Sequence, residues 1–106
     1  MAQFDVYRNK GRNRDDIPYV VVVQSSLFDN YKRRVVVPLV KKSSLAKIDN
    51  PRFIPGFRIK NISVVLHPLE VVSVSVENLG ERVASLAKDG DAIVDALDQL
   101  LTRAWK

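Results

Sequence analysis

Two runs of β-branched residues constrain the fold of this chain more than any other feature. Residues 17–24 and 34–40 are almost continuous in valine and isoleucine. Branching at Cβ favours extended backbone, and an apolar run without polar alternation is typical of a strand that is covered on both faces. The runs therefore predict two strands with the core on one face and a second sheet or a subunit partner on the other.

The remaining elements are predicted from the spacing of apolar residues. Residues 9–16 are polar and indicate a mobile hairpin loop, and Pro38 restricts its strand to an edge or a bulge. A single helical turn, capped by Ser43 or Ser44, is expected over residues 43–48, and a short helix over 81–88. The other predicted strands are residues 3–8, 57–60, 62–67 and 71–77, where Val72, Val74 and Val76 give one buried face.

The clearest helix lies at the end of the chain, after Asp91. Its apolar residues fall on one half of a helical wheel: Ile93, Val94, Ala96, Leu97, Leu100, Leu101 and Ala104. Together the elements predict one domain over residues 1–106, mainly β with a C-terminal helix, in which five or more antiparallel strands curl into a small barrel.

Composition excludes several classes of site. The 106 residues include no cysteine, so neither disulfides nor thiolate zinc sites can form. His67 is the only histidine and the four glycines are scattered, so we expect no metal, no cofactor and no catalytic residue. There is no apolar run of membrane-spanning length, and the polar start is unlike a signal peptide, which predicts a cytoplasmic protein.

The net charge of +5 is unevenly distributed. Residues 1–69 carry thirteen Lys or Arg against five Asp or Glu, whereas residues 70–106 carry four against seven. The basic part is suited to an acidic partner, either nucleic acid or an acidic protein segment. Asp91, Asp95 and Asp98 are interpreted as the solvated face of the helix, and Trp105 either covers the edge of the core or anchors a partner.

Five segments in order along the chain resemble the CcdB family of bacterial toxins, which poison DNA gyrase and are neutralised by an antitoxin. Each segment is ordinary alone, but their order and spacing in a short cysteine-free chain are distinctive. They are residues 3–7 (Gln-Phe-Asp-Val-Tyr), 23–29 (Val-Gln-Ser-Ser-Leu-Phe-Asp), 33–39 (Arg-Arg-Val-Val-Val-Pro-Leu), 72–76 (Val-Ser-Val-Ser-Val) and 93–97 (Ile-Val-Asp-Ala-Leu).

The resemblance implies a fold and a mechanism. The fold is an SH3-like barrel with a small second sheet and a C-terminal helix, associated as a two-fold homodimer. The dimer would bind the A subunit of DNA gyrase and trap the enzyme on cleaved DNA, without being an enzyme itself and without sequence-specific contacts to nucleic acid. The gyrase-binding positions carried over are Leu27, Phe28, Asp98, Thr102, Arg103 and Ala104, with Trp105 as a further anchor.

The resemblance also bears on the antitoxin contacts and on the C-terminal residues 102–106. An acidic, CcdA-like antitoxin suits the basic part of the chain, and the candidates for contacting it are Arg12, Arg14, Arg33 and Arg34. The family's terminal Trp-Gly-Ile or Thr-Gly-Ile is replaced here by Thr102-Arg103-Ala104, with Trp105-Lys106 beyond it. Two other functions therefore stay open: an endoribonuclease of the MazF type, which shares the barrel, and a non-poisoning member that only binds antitoxin.

Overall fold

A computed structural model describes residues 1–45 and 47–102 of the chain. Its regular elements are seven strands and one α-helix, joined by loops and short 3-10 turns. They are β1 (Asp5–Asn9), β2 (Tyr19–Val22), β3 (Arg33–Lys41), β4 (Gly56–Ile59), β5 (Ile62–Leu66), β6 (Val72–Ser75), β7 (Leu79–Ser85) and α1 (Gly90–Leu101).

The strands form one curled antiparallel sheet in the order β4-β5-β3-β2-β1-β7. The long strand β3 holds it together, because β6 pairs with the first half of β3 and β5 pairs with its end. The registers are Arg33 opposite Ser75 for β6 and Leu39 opposite Leu66 for β5. The prediction of a mainly β fold with a C-terminal helix is confirmed, and the expected hairpin connects β1 to β2 through residues 10–18.

Pro38 lies in the middle of the central strand, where the register with β2 is continuous, so the prediction of an edge or a bulge is wrong. Val23 donates its backbone N–H to the Val35 carbonyl at 3.0 Å, which fixes the phase of the β2–β3 ladder. With that phase, the ring nitrogen of Pro38 points away from β2, to the side where β6 has ended and β5 has not begun. The proline is tolerated because no partner strand there requires its missing N–H.

The valine runs are buried on both faces of the sheet, as predicted. One face packs against α1, and its core includes Val21, Val37, Leu39 and Leu66. The opposite face carries a smaller apolar cluster: Tyr7, Val20, Val22 and Val36, with Met1, Val74 and Leu79 packed against it. The alternation of a strand places Val36 and Val37 on these opposite faces.

Three local predictions are wrong. Residues 79–85 form β7 rather than a helix, because β1 pairs with them across a ladder that contains two register shifts. The helical turn near residue 43 shrinks to a 3-10 turn, Lys42–Ser44, and the Ser44 hydroxyl donates to Asp16 at 2.9 Å instead of capping it. The buried face expected for residues 71–77 is incomplete, since Val72 is 47% exposed.

The helix α1 packs through a narrower stripe than the wheel predicted. Ile93 and Ala96 are fully buried, whereas Val94 and Leu101 are exposed. The helix begins at Gly90, where a Cβ atom would lie 2.7 Å from the Phe4 ring, so glycine permits this close approach. No helix in the described ranges is long and apolar enough to cross a membrane.

Candidate functional site

The β2–β3 loop, residues 23–32, is held in place by the side chain of Gln24. Its amide nitrogen donates to the carbonyls of Phe28 and Arg33 at 3.1 and 3.2 Å, and its amide oxygen accepts from the Val35 N–H at 2.9 Å. Ser25 adds a local cap, because its hydroxyl accepts from the Leu27 N–H at 3.2 Å. Polar side chains thus satisfy the backbone of a loop that has no strand partner of its own.

The buried side chain of Arg34 also supports the β2–β3 loop. It is only 6% exposed, and its guanidinium donates to the carbonyls of Tyr31, Arg33 and Asp29 at 2.6, 2.9 and 3.2 Å. The Nε atom also lies 3.6 Å from the Asp29 carboxylate. A buried arginine that is bonded to three carbonyls positions the loop, and its guanidinium is not available at the surface for an antitoxin.

The supported loop displays apolar side chains to solvent. Leu27 is 83% exposed, Tyr31 is 66% exposed and Phe28 is 51% exposed. The rings of Phe28 and Tyr31 are tilted against each other with centroids 6.4 Å apart. They border a shallow depression of about 410 Å³ whose wall also includes Val35 and Arg33. Such exposed apolar clustering is typical of a protein-binding surface.

Tyr31 belongs to this surface although it was not among the predicted site residues. The sequence did contain an indication of this, because Tyr31 follows Phe28 by three residues and a turn can bring two such side chains together. Two exposed apolar residues of the helix were likewise not predicted. On α1, Val94 and Leu101 lie four and three residues from Asp98, on the same helical face.

The helix end contributes the other predicted positions. Asp98 is exposed, and its backbone carbonyl accepts from the Thr102 hydroxyl at 2.7 Å, just after α1 ends. The predicted residues Arg103, Ala104 and Trp105 lie outside the described residues. The Asp98 face of α1 therefore combines a carboxylate with two exposed apolar side chains.

The N-terminal segment connects the loop to the helix. The Met1 amino group lies 3.5 Å from the Asp29 carboxylate, and the Gln3 side-chain amide donates to the Val23 carbonyl at 2.9 Å. Phe4 continues the connection, since its N–H donates to Val22 and its ring packs against the start of α1 at Gly90. This segment therefore contacts both predicted gyrase-binding regions, the β2–β3 loop through Met1 and Gln3 and the helix α1 through Phe4.

The four predicted antitoxin-binding arginines differ in availability. Arg12 and Arg14 are exposed on the β1–β2 hairpin, and neither makes an ion pair within the described part of the chain. Arg33 is exposed, but its guanidinium donates to the hydroxyl and carbonyl of Ser73 at 2.8 and 2.7 Å. Since Arg34 is buried, the hairpin arginines are the best placed to meet an acidic partner.

The perturbed carboxylates belong to structural ion pairs, whereas burial raises the pKa of Tyr7. Hydrogen bonding from Arg52 at 2.7 and 2.9 Å lowers the pKa of Asp95, and hydrogen bonding from Arg8 at 2.6 Å lowers the pKa of Glu81. The sequence predicted that Asp95 would be freely solvated. Instead, its carboxylate connects α1 to the turn at Arg52. Residues 1–45 and 47–102 contain no group of three or more potential metal ligands.

A comparison with protein families finds that the model for the CcdB protein matches residues 3–102. The chain belongs to the CcdB family. As a CcdB-family protein it is a toxin of a toxin–antitoxin system, and an antitoxin is its expected partner. Comparison of the sequence with curated proteins found no match.

Solved structures support the same fold. An endoribonuclease in complex with its cognate antitoxin, from a mycobacterial species, is similar with a TM-score of 0.75 and 13% identity, covering 100% of this chain and 99% of that one. An endoribonuclease from a mycobacterial species has a TM-score of 0.71 and 14% identity, covering 100% and 95%. At such low identity the likeness extends to the fold and not to the activity of this CcdB-family chain.

Proposed function

We propose that this CcdB-family protein is a homodimeric, non-enzymatic toxin that binds the A subunit of DNA gyrase and traps the gyrase–DNA cleavage complex. The acidic antitoxin of the system would neutralise it. The observation that carries the proposal is the β2–β3 loop, whose supported backbone presents Leu27, Phe28 and Tyr31 to solvent.

The loop has the physical properties of a binding surface. Exposed apolar side chains contribute little stability to the toxin alone, but covering them with a partner is favourable in free energy. Because Gln24 and Arg34 hold the backbone, little conformational entropy remains to be lost on binding. The Asp98 face of α1, with Val94 and Leu101, is the second part of the proposed gyrase surface, and Trp105 lies just beyond it in sequence.

An endoribonuclease is the competing function, since the similar solved structures are named as such. General acid–base cleavage of RNA requires a positioned proton acceptor beside the substrate. The only histidine, His67, has a buried Nδ1 atom and lines a depression beside Glu70, apart from the β2–β3 loop. The loop itself therefore has no imidazole to act as proton acceptor, which supports binding and not catalysis at that surface.

The experiment compares two exposed leucines in the full chain. Purified wild-type protein and the variants Leu27→Asp and Leu69→Asp are incubated with gyrase, supercoiled plasmid and ATP, and linear DNA is measured after detergent and protease treatment. Leu27 and Leu69 are 83% and 63% exposed, so neither change should disturb the core. A charge buried in an interface costs at least about 1.4 kcal/mol, so Leu27→Asp should need at least ~tenfold more toxin.

Three outcomes separate the functions. Gyrase-dependent linear DNA that is lost in Leu27→Asp and kept in Leu69→Asp supports the proposal. Cleavage of a long single-stranded RNA without gyrase would establish the endoribonuclease instead. Neither activity, with tight binding of the antitoxin, would indicate a member that has lost poisoning.

A further inference from the structure

A strongly basic stretch runs from the last residue of β3 to the second residue of β5. Residues 41–63 contain six Lys or Arg and one Asp, so their net charge of +5 equals that of the whole chain. The predicted antitoxin-binding and gyrase-binding residues all lie outside this stretch. Its positive charge therefore belongs to neither of the predicted binding surfaces.

Two of the six cations are already paired with acids. The Arg52 guanidinium bonds to the Asp95 carboxylate at 2.7 Å. The Lys47 ammonium lies 3.3 Å from the Asp49 carboxylate. Three other exposed cations of the stretch make no ion pair within residues 1–45 and 47–102: Lys42, Arg58 and Lys60. These three side chains are therefore available to a partner.

The strand registers place Lys42 and Arg58 on the same face of the sheet. Arg58 lies opposite Ser63 in the β4–β5 ladder, and its guanidinium donates to the Ser63 hydroxyl at 3.3 Å. Lys41 lies opposite Val64 in the β3–β5 ladder, so the next residue, Lys42, follows on the side of Ser63. Val64 belongs to the core, so the alternation of side chains turns Ser63 and its two cationic neighbours outward. Both cations and Ser63 line one shallow depression of about 310 Å³.

The third cation, Lys60, occupies the tip of the β4–β5 hairpin. The hairpin loop consists of Lys60 and Asn61, whose φ angles are 49° and 67°. A two-residue loop with positive φ at both positions is a type I′ turn, which asparagine and glycine favour and lysine does not. The turn displays an exposed lysine two residues after Arg58. It completes a set of three cations that we call the basic face: Lys42, Arg58 and Lys60.

The basic face lacks the apolar side chains that a protein partner would cover. Among the described residues, the large apolar side chains with high exposure all lie outside residues 41–63. Protein–protein interfaces are depleted of charge and enriched in aromatic residues at their centre, whereas nucleic acid backbones are bound through Lys and Arg contacts to phosphates. A second copy of this chain would bring only the same cations. The composition of the basic face therefore fits a phosphate backbone.

The basic face and the β2–β3 loop lie at opposite ends of β3. Val35, near the start of the strand, lines the depression at the loop, whereas Lys42 directly follows the last residue of the strand. Seven residues at about 3.3 Å each separate the two positions by roughly 23 Å along the strand. The basic face therefore uses no residue of the proposed gyrase surface, and one toxin can contact a protein with its loop and a duplex with its basic face.

We propose that the basic face contacts the phosphate backbone of duplex DNA without reading its sequence. The DNA would be the duplex that gyrase holds in the trapped cleavage complex. Only this source of the DNA rests on the proposed function, since the contact itself is argued from the three cations. Each cation that neutralises a phosphate displaces condensed counterions, so the binding constant should fall as salt is added. Inside the complex, the contact would add to the affinity of the toxin because the DNA is held beside it at high effective concentration.

The test measures binding of the full chain to a short labelled DNA duplex of mixed sequence, by fluorescence anisotropy over a range of salt concentrations. Labelled single-stranded RNA and labelled polyglutamate are the competing probes. Lys42→Gln and Lys60→Gln each remove one cation from the basic face. Lys88→Gln is the matched control, because Lys88 is an exposed lysine in the turn before α1, outside residues 41–63. Circular dichroism verifies folding, and Lys60→Asn, which suits a positive φ, replaces Lys60→Gln if the latter reduces the folded fraction.

The duplex should bind more tightly than either competing probe. With one phosphate per cation, the logarithm of the binding constant should fall with the logarithm of the salt concentration with a slope of about −2.7 for one basic face. Lys42→Gln and Lys60→Gln should each reduce that slope by about 0.9 and weaken binding about eightfold at about 0.1 M salt, whereas Lys88→Gln should change binding less than ~twofold. No duplex binding by the wild-type chain at low salt would overturn the proposal. So would equal losses in all three variants, or tighter binding of the RNA or of polyglutamate.

A second measurement separates this inference from the proposed function. The double variant Lys42→Gln/Lys60→Gln should bind the isolated gyrase A subunit as tightly as wild type does, but several times more of it should be needed to produce linear DNA from plasmid. A double variant that trapped gyrase as well as wild type would overturn the contact with gyrase-held DNA. Duplex binding that depends on these lysines, in a chain that stabilises no gyrase cleavage, would refute the gyrase function and support the basic face.

Discussion

Replacing Arg34 by methionine tests how the β2–β3 loop is held. Methionine fills most of the same volume but removes the donors to three carbonyls and the charge beside Asp29. A hydrogen bond from a charged donor contributes about 1.5–3 kcal/mol where its acceptor stays dry, and about 1 kcal/mol where water can replace the donor. The acceptor carbonyls belong to an exposed loop, so the three bonds sum to roughly 3 kcal/mol.

The matched control is Arg33→Met at the neighbouring position. Arg33 makes two hydrogen bonds to Ser73, but it is exposed, so its loss should cost less than about 1 kcal/mol. Urea unfolding followed by circular dichroism measures both variants, with equal m values required for the comparison. We expect Arg34→Met to lose roughly 3 kcal/mol and also to weaken gyrase trapping, because the displayed side chains lose their support.

Two results would contradict this role of Arg34. If both methionine variants unfolded at the same urea concentration, the buried guanidinium would contribute no more than an exposed one. Arg34→Met could also be strongly destabilised and yet trap gyrase as well as wild type at a temperature where it is folded. In that case the loop would not need the Arg34 hydrogen bonds to function.

Two further predictions concern the scaffold. Gly80→Ala should destabilise the fold by about 1–3 kcal/mol, because the new Cβ would lie 2.9 Å from the Arg8 carbonyl oxygen, whereas Gly56→Ala, with 3.7 Å to its nearest atom, should be tolerated; urea unfolding measures both. Arg52→Gln should lower the melting temperature at pH 7. The pKa of Asp95 is held below its ordinary 3.8 by Arg52, so the stabilisation is present above that value and is lost as the pH falls through the lower folded-state pKa. The difference in melting temperature should therefore close once the pH falls below the folded-state pKa of Asp95, and a difference that persists at such acidic pH would contradict the ion pair as its cause.

Local sequence correctly predicted the strands whose apolar character does not depend on which neighbouring strands cover them. The valine runs of β2 and β3 are buried whichever strands cover them, so composition alone identified them. The prediction of a helix over residues 81–88 was wrong, although Val83, Leu86 and Ala87 have helical spacing. There β1, seventy to eighty residues earlier in the chain, supplies the hydrogen bonds, and two register shifts break the period of two that would have indicated a strand.

Of the loop surface, sequence predicted Leu27 and Phe28 but neither Tyr31 nor the residues that support the loop. Leu27 and Phe28 were selected because large apolar residues in a polar turn are conspicuous, and the resemblance to the family placed them. Arg34 was predicted to contact the antitoxin from its charge and its position in the chain, whereas the structure buries it. Its burial depends on the path of the loop backbone, which brings three carbonyls to one guanidinium, and no local pattern encodes that convergence.

In this loop, the residues that hold the backbone are different from those that project to solvent. This separation affects which substitutions the toxin can tolerate. Gln24, Ser25 and Arg34 bond to backbone atoms, which are the same whatever side chains the loop carries. Leu27 and Phe28 project to solvent and contribute little to folding. Substitutions at the displayed positions should therefore alter the target surface with little loss of stability, whereas substitutions at the supports should reduce both stability and activity. We therefore expect Leu27 and Phe28 to be the positions at which a binding preference can change with the least loss of stability.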